Sequence, residues 1–207
     1  MFNKNTISIL RNIQPAAELD YYLQFTGNGY IQINDLTPFL VHNEDFYFEM
    51  QFKIDEFPRT GFKYLMNSCY NVEDNKIAIA IDETHLYVHQ VNQEGQKTEL
   101  NINFSDTQEW HTIKVTNDAG SLSAILDKDS LTINEEPLLS LPAIEGFRIA
   151  SDSSSQNGLV GNVDNILLTD LRDPIAQYLL NTGEGEIAYD SINQYDGVVY
   201  NGSWQMS

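Results

Sequence analysis

From Asp45 to Ile54 the chain alternates without a break, with Phe46, Phe48, Met50, Phe52 and Ile54 on one parity and Asp45, Tyr47, Glu49, Gln51 and Lys53 on the other. Successive side chains of a strand point to opposite faces, so 46–54 reads as a half-buried antiparallel strand; a helix would scatter the five apolar residues around its circumference. The same parity recurs along the chain. Ile77, Ile79 and Ile81 point inward with Ala78 and Ala80 opposite, followed by Leu86 and Val88, then Leu100, Ile102 and Phe104. Ile113 and Val115, then Leu122, Ala124 and Leu126, then Phe147 and Ile149 continue it. Turn residues separate the runs at Asn28-Gly29, Gly95, Asp118-Ala119-Gly120 and Ser151 to Gly158. Many short strands, regular turns and no sustained 3.6-residue period predict an all-β fold, a two-sheet antiparallel β-sandwich of the jelly-roll kind.

At 207 residues the chain suits one such sandwich. Its middle, 21–173, carries the alternation, with an N-terminal arm over 1–20. A C-terminal segment, 174–207, is rich in Gly, Tyr and Asn and is expected to pack either on the sandwich or on a neighbouring subunit. Eleven basic residues against thirty acidic ones give a formal charge of −19, with no basic cluster. Phosphate backbones and anionic lipid surfaces repel such a chain, so neither nucleic acid nor membrane is an expected partner. Cys69 is the only cysteine, so the fold rests on its core rather than on an intrachain disulfide. Polar residues interrupt Ile7, Ile9, Leu10 and Ile13, and neither a signal peptide nor a membrane span is expected.

One residue sits against the alternation. In Gly161-Asn162-Val163-Asp164-Asn165-Ile166-Leu167-Leu168, strict parity turns Asp164 to the same face as Ile166 and Leu168. A carboxylate facing the core needs backbone N–H donors, a cation or a place at the rim. A calcium ion, which takes several oxygens at about 2.3–2.6 Å, is one candidate partner, and backbone N–H groups alone are the other.

The outward face of the predicted strand 85–89 carries His85, Tyr87 and His89, beside Glu99, Asn101 and Asn103 of the next strand. A sugar ring can stack on tyrosine while amides and carboxylates bind its hydroxyls, so this face is a candidate carbohydrate surface as well as an ordinary solvated one. His85 and His89 stand about 13 Å apart on a strand and cannot share a metal. His111 shares its parity with Ile113 and Val115 and reads as a buried, hydrogen-bonded side chain. The chain has no Gly-x-Ser-x-Gly elbow, phosphate loop or Cys-x-x-Cys pair.

Several stretches in order resemble the laminin G-like branch of the concanavalin A-like lectin/glucanase superfamily. Tyr22 to Ile33 is similar to its opening hairpin and Phe46 to Ile54 to the long strand after it. Glu109-Trp110-His111-Thr112-Ile113-Lys114-Val115-Thr116 is similar to its Trp-His strand, and Gly158 to Thr169 to its penultimate element. Ile175 to Ser191, with Asp196-Gly197 and Asn201-Gly202-Ser203-Trp204, resembles a segment that commonly leads into such a unit, whereas here it follows one. The resemblance implies a concanavalin A-like sandwich with a structural calcium at its rim, pairing Asp164 with carbonyls near Gly27 or Asn28. It also implies a non-catalytic, lectin-like module binding cell-surface glycan or other virion subunits, in multimeric display. Relatives of this grammar sit on bacteriophage virions and bacterial surfaces, so the implied location is the virion surface after synthesis in the cytosol, with the cytoplasm or the cell surface as alternatives. A structural decoration protein is the other reading. Glucan-hydrolysing relatives align two carboxylates on one strand about 5–5.5 Å apart. Glu49 is the only acid within 46–52 and Asp55-Glu56 point to opposite faces, so no catalytic pair is expected.

Overall fold

The computed structural model describes residues 20–34, 46–68, 77–91, 95–107, 109–118, 121–132, 146–152 and 154–207. Cys69 and the arm before Asp20 lie outside the described residues. All regular structure among the described residues is strand, in two eight-stranded sheets. Sheet A holds, in spatial order, β10 (Asp129–Thr132), β9 (Ser121–Leu126), β8 (His111–Asp118), β3 (Phe46–Ile54), β12 (Val160–Thr169), β1 (Tyr21–Thr26) and β16 (Ser203–Met206), with β13 (Pro174–Tyr178) also on β12. Sheet B holds β14 (Ile187–Ala188), β15 (Gly197–Tyr200), β2 (Tyr30–Asn34), β11 (Gly146–Ile149), β4 (Lys63–Asn67), β5 (Ile77–Ile81), β6 (His85–Val91) and β7 (Lys97–Asn103). Every paired strand runs antiparallel to its neighbour. The molecule is the all-β two-sheet sandwich that the alternation predicts.

The core lies between the sheets and is built from the inward parity. β3 alternates buried and half-buried along all nine of its residues. Phe48, Met50 and Phe52 meet Ile113 and Val115 from β8, with Leu86 and Val88 supplied by β6. β5 departs from simple alternation, since all five of its residues are buried. Ala78 and Ala80 point away from the core, yet both are covered. His111 is 11 % exposed, with Nδ1 2.8 Å from the Asp127 carboxylate and its ring against Phe52 and Phe104.

The C-terminal segment completes both sheets of its own sandwich. β16 pairs with β1, β13 with β12, and β15 with β2 while β14 extends that edge. Asp190 ties the segment together. Its Oδ1 accepts the backbone N–H groups of Gln177 and Ile192, and its Oδ2 those of Asn193 and Tyr195. Beside it the buried Tyr178 hydroxyl donates to the Tyr195 carbonyl at 2.6 Å.

Strict parity misplaces Asp164. β12 carries a bulge between Asp164 and Ile166, with Asn165 as the unpaired extra residue at φ 43°. Val163 therefore stands opposite Phe52 in the core, and Asp164 stands opposite Gln51 on the outer face of sheet A. Beyond the bulge, Ile166 and Leu168 regain the inward parity opposite Met50 and Phe48. The bulge falls where the edge partner of β12 changes from β1, paired over 160–163, to β13, paired from Ile166 onward.

Candidate functional site

The register between β6 and β7 brings the six residues of the predicted carbohydrate surface onto one face. His85 pairs with Asn103, Tyr87 with Asn101 and His89 with Glu99 on the outer side of sheet B. Three of them, Tyr87, His89 and Glu99, line a recess of about 300 Å³ whose other walls are Phe62, Tyr64, Ala80, Val91 and Lys97. His85, Asn101 and Asn103 extend the face beyond it. The recess exists because β5 presents only methyl groups outward. Ala80 pairs with Tyr64 on one side and Tyr87 on the other, so two large rings flank a small floor.

Tyr87 is held from two directions. Its hydroxyl donates to Asp82 at 2.8 Å, and Phe62 packs edge-on to its ring at a centroid distance of 5.2 Å. Asp82 also accepts the backbone N–H groups of Thr84 and His85, which shapes the turn into β6. Burial opposes ionisation of Asp82, but these hydrogen bonds, with that from Tyr87, hold its carboxyl below the usual range. Burial pushes the His89 imidazole down to about 4, Lys97 adds to the effect and Glu99 opposes it, so His89 is neutral at neutral pH. Lys97 and Glu99 form an ion pair at the mouth. The site thus offers aromatic faces, a neutral imidazole and an internally compensated pair of charges.

Phe62, Tyr64, Ala80, Val91 and Lys97 line the recess without having been expected from the sequence. The Ile-Ala-Ile-Ala-Ile run signals the floor, because alanines on the outward parity of a strand leave a hollow that neighbouring strands must frame. Phe62 and Tyr64 lie on a distant stretch of chain whose pairing with β5 carries a register shift between Tyr64 and Met66, and alternation alone cannot supply that register.

The calcium ligands implied by the resemblance do not come together. The glycine turn does approach the start of β12, where a Cβ on Gly158 would collide with the Gly27 carbonyl oxygen. Thr26 pairs with Val160, so Gly27 and Asn28 lie beyond the start of β12, while Asp164 is four residues further along in the opposite direction. At about 3.3 Å per residue this separation exceeds roughly 13 Å, too far for one cation. Among the described residues no group of three or more His, Cys, Asp or Glu is placed to hold a metal.

Asp164 is instead met by its neighbour. The Asn165 backbone N–H donates to Oδ1 at 2.7 Å and the Asn165 side-chain amide to Oδ2 at 3.0 Å. It is 7 % exposed although it faces outward. Tyr22 of β1 and Trp110, just before β8, meet edge-to-face at 5.3 Å. β12 and β3 lie between those two strands, so the rings close over the outer face of both. Burial pushes the Asp164 carboxyl up to about 6, the Asn165 N–H partly opposes this, and the nearby Asp20 charge adds to it.

No protein-family model matches the sequence, and no curated protein sequence matches it. Solved structures do match. Mouse laminin alpha1 chain, domains LG4-5, aligns with a TM-score of 0.57 at 16 % identity, over 76 % of this chain and 43 % of that one. The receptor-binding domain of botulinum neurotoxin mosaic serotype C/D, with tetraethylene glycol on its Hcn sub-domain, aligns with a TM-score of 0.57 at 12 % identity, over 76 % and 40 %. A second structure of the C/D mosaic receptor-binding domain gives 0.58 at 11 %, over 73 % and 39 %. The chain thus spans less than half the length of each of these structures. At these identities the likeness is one of fold, and the fold is the laminin G-like, concanavalin A-like sandwich.

Proposed function

We propose that the protein is a non-catalytic recognition module that binds neutral carbohydrate in the Tyr87 recess. The observation that carries this reading is the framing of Tyr87: a ring immobilised by Asp82 and Phe62, beside a methyl floor, with His89, Lys97 and Glu99 at hydrogen-bonding reach of a stacked ligand's edge. Aromatic faces take the apolar side of a sugar ring, and a few placed polar groups take its hydroxyls. Beyond the recess the face continues through His85 and the exposed Asn101 and Asn103, so more than one sugar unit can lie along the two strands.

Binding without hydrolysis fits the acid beside the site. General acid catalysis near neutrality needs a carboxyl held protonated, and Asp82 is held the other way. A charge of −19 favours uncharged over anionic glycans. One shallow recess supports only weak affinity, which display in several copies, on a virion or a cell surface, would raise through avidity.

Glycan-array screening followed by isothermal titration tests the reading. Tyr87→Ala is expected to weaken binding of any neutral glycan found by about tenfold or more. Full retention of affinity in both Tyr87→Ala and Phe62→Ala, or no glycan bound across the array, refutes it.

A further inference from the structure

The outer face of sheet A carries a second, chemically different recess. It has a volume of about 210 Å³ and is lined by Glu49, Gln51, Asn165, Leu167 and Gln177 together with Ile166. At roughly 30 Å³ per water this is room for about seven waters, on the scale of one sugar ring. Three of its walls are side-chain amides, each offering both a donor and an acceptor edge. The bulge creates this arrangement. By inserting Asn165 it turns that amide sideways onto Gln51, where its N–H donates to Oε1 at 3.3 Å.

The recess is compensated in charge. Glu49, its one acid, accepts from the Tyr47 hydroxyl and pairs with the Lys114 ammonium at 3.2 Å. None of the residues lining the recess is a cation that would hold an anionic ligand, and a cationic one finds a carboxylate already satisfied.

One step along β3 and β12 stands the Tyr22–Trp110 bridge, with Trp110 41 % exposed. Beneath it Asn162 faces outward, opposite Lys53 and Gln24. It is 4 % exposed, and while its amide N–H donates to Asp55, its Oδ1 has no hydrogen-bond partner. A buried acceptor left without a donor is costly, so this part of the strip is not optimised for the fold alone.

We propose that this strip, from the amide recess to Trp110, is a second binding site for neutral glycan, on the sheet opposite the Tyr87 recess. A sugar ring in the recess donates and accepts along Gln51, Asn165 and Gln177, and the adjoining unit lies against the exposed Trp110. The sandwich then presents one site on each broad face and can bridge two glycan strands.

Trp110 and Trp204 are the only tryptophans, so Trp204→Phe leaves Trp110 as the sole indole reporter. This variant of the full chain is titrated with laminarin, dextran, galactomannan and xyloglucan while its emission is followed. At least one polymer is expected to shift or quench Trp110 emission saturably. The change should survive addition of Tyr87→Ala and weaken by about tenfold, the worth of one or two hydrogen bonds, on addition of Gln51→Leu, which removes the central amide of the recess. Circular dichroism of each variant verifies the fold. No saturable emission change with any polymer overturns the proposal. So does a change that Tyr87→Ala abolishes and Gln51→Leu leaves untouched, an outcome that keeps the first site and removes the second.

Discussion

Replacing Asp164 with asparagine separates two accounts of the same carboxylate. If Asp164 is an outward but covered acid, its ionised form weakens the fold. Its carboxyl is pushed from an ordinary 3.8 up to about 6 in the folded chain, first by burial. At 1.36 kcal/mol per pH unit, that difference corresponds to a penalty of about 3 kcal/mol once the solution is well above pH 6. The sign follows from proton binding. Between pH 4 and 6 the folded chain holds the proton and the unfolded chain has released it, so stability falls as pH rises through this window and is level above it. The Asp164→Asn variant carries no such charge. Its new side chain keeps an oxygen for the Asn165 backbone N–H but sets an amide against the Asn165 side-chain N–H that now donates to Oδ2, at a cost of about 1 kcal/mol. The net expectation at pH 8 is a gain of about 1–2 kcal/mol, or a melting temperature raised by about 2–8 °C for a chain of this size. At pH 4 the gain should vanish. Differential scanning calorimetry from pH 4 to 8, in EDTA and in millimolar calcium, measures both. A variant less stable than the parent at pH 8 in EDTA would refute the reasoning, and a calcium-dependent rise in the parent that Asp164→Asn abolishes would restore the carboxylate as a ligand.

Two other perturbations report on other parts of the sandwich. His89 has the opposite sign to Asp164: its folded value of about 4 lies below the ordinary 6.5, so its contribution is intact above pH 6.5 and is lost as pH falls toward 4. His89→Gln should flatten the acid limb of the stability profile by about 1–3 kcal/mol, measured by urea unfolding at pH 4.5 and 7.5, and an unchanged pH 4.5 to 7.5 difference counts against a desolvated imidazole. Asp190→Ala removes the acceptor of four backbone N–H groups and should cost about 2–4 kcal/mol, with faster amide exchange concentrated in 174–207; uniform exchange across both sheets would argue against a local tie.

Inward positions were legible because burial between sheets is enforced by parity. Phe46 to Ile54, Ile113 with Val115 and Leu122 to Leu126 all fall where alternation puts them. Pairing partners were less legible, since register depends on strands far apart in sequence. The β6–β7 face could be read because a short connection joins its two strands, whereas Tyr64 reaches Ala80 only through tertiary structure. The bulge had a signal that strict parity ignores. Val163, Ile166 and Leu168 cannot share one face of an unbroken strand, because the first spacing is three, and Asn is among the residues that most readily accept a left-handed backbone at the extra position.

Outward is not the same as solvated, and this distinction organises both broad faces. On sheet B the outward Ala80 is covered because Tyr64 and Tyr87 flank it, which makes a hollow. On sheet A the outward Asn162 and Asp164 lose water because Tyr22 and Trp110 meet above them. In each case a small or polar residue on the outer parity is flanked by aromatic side chains from strands on either side, and the desolvation follows from those flanks rather than from the residue itself. Burial is the leading cause of both the depressed imidazole of His89 and the raised carboxyl of Asp164. Trimming the aromatic flank should move each toward its ordinary value. Tyr87→Ala would raise the His89 titration and Trp110→Ala would lower that of Asp164, changes that NMR can follow at the two side chains independently of any ligand.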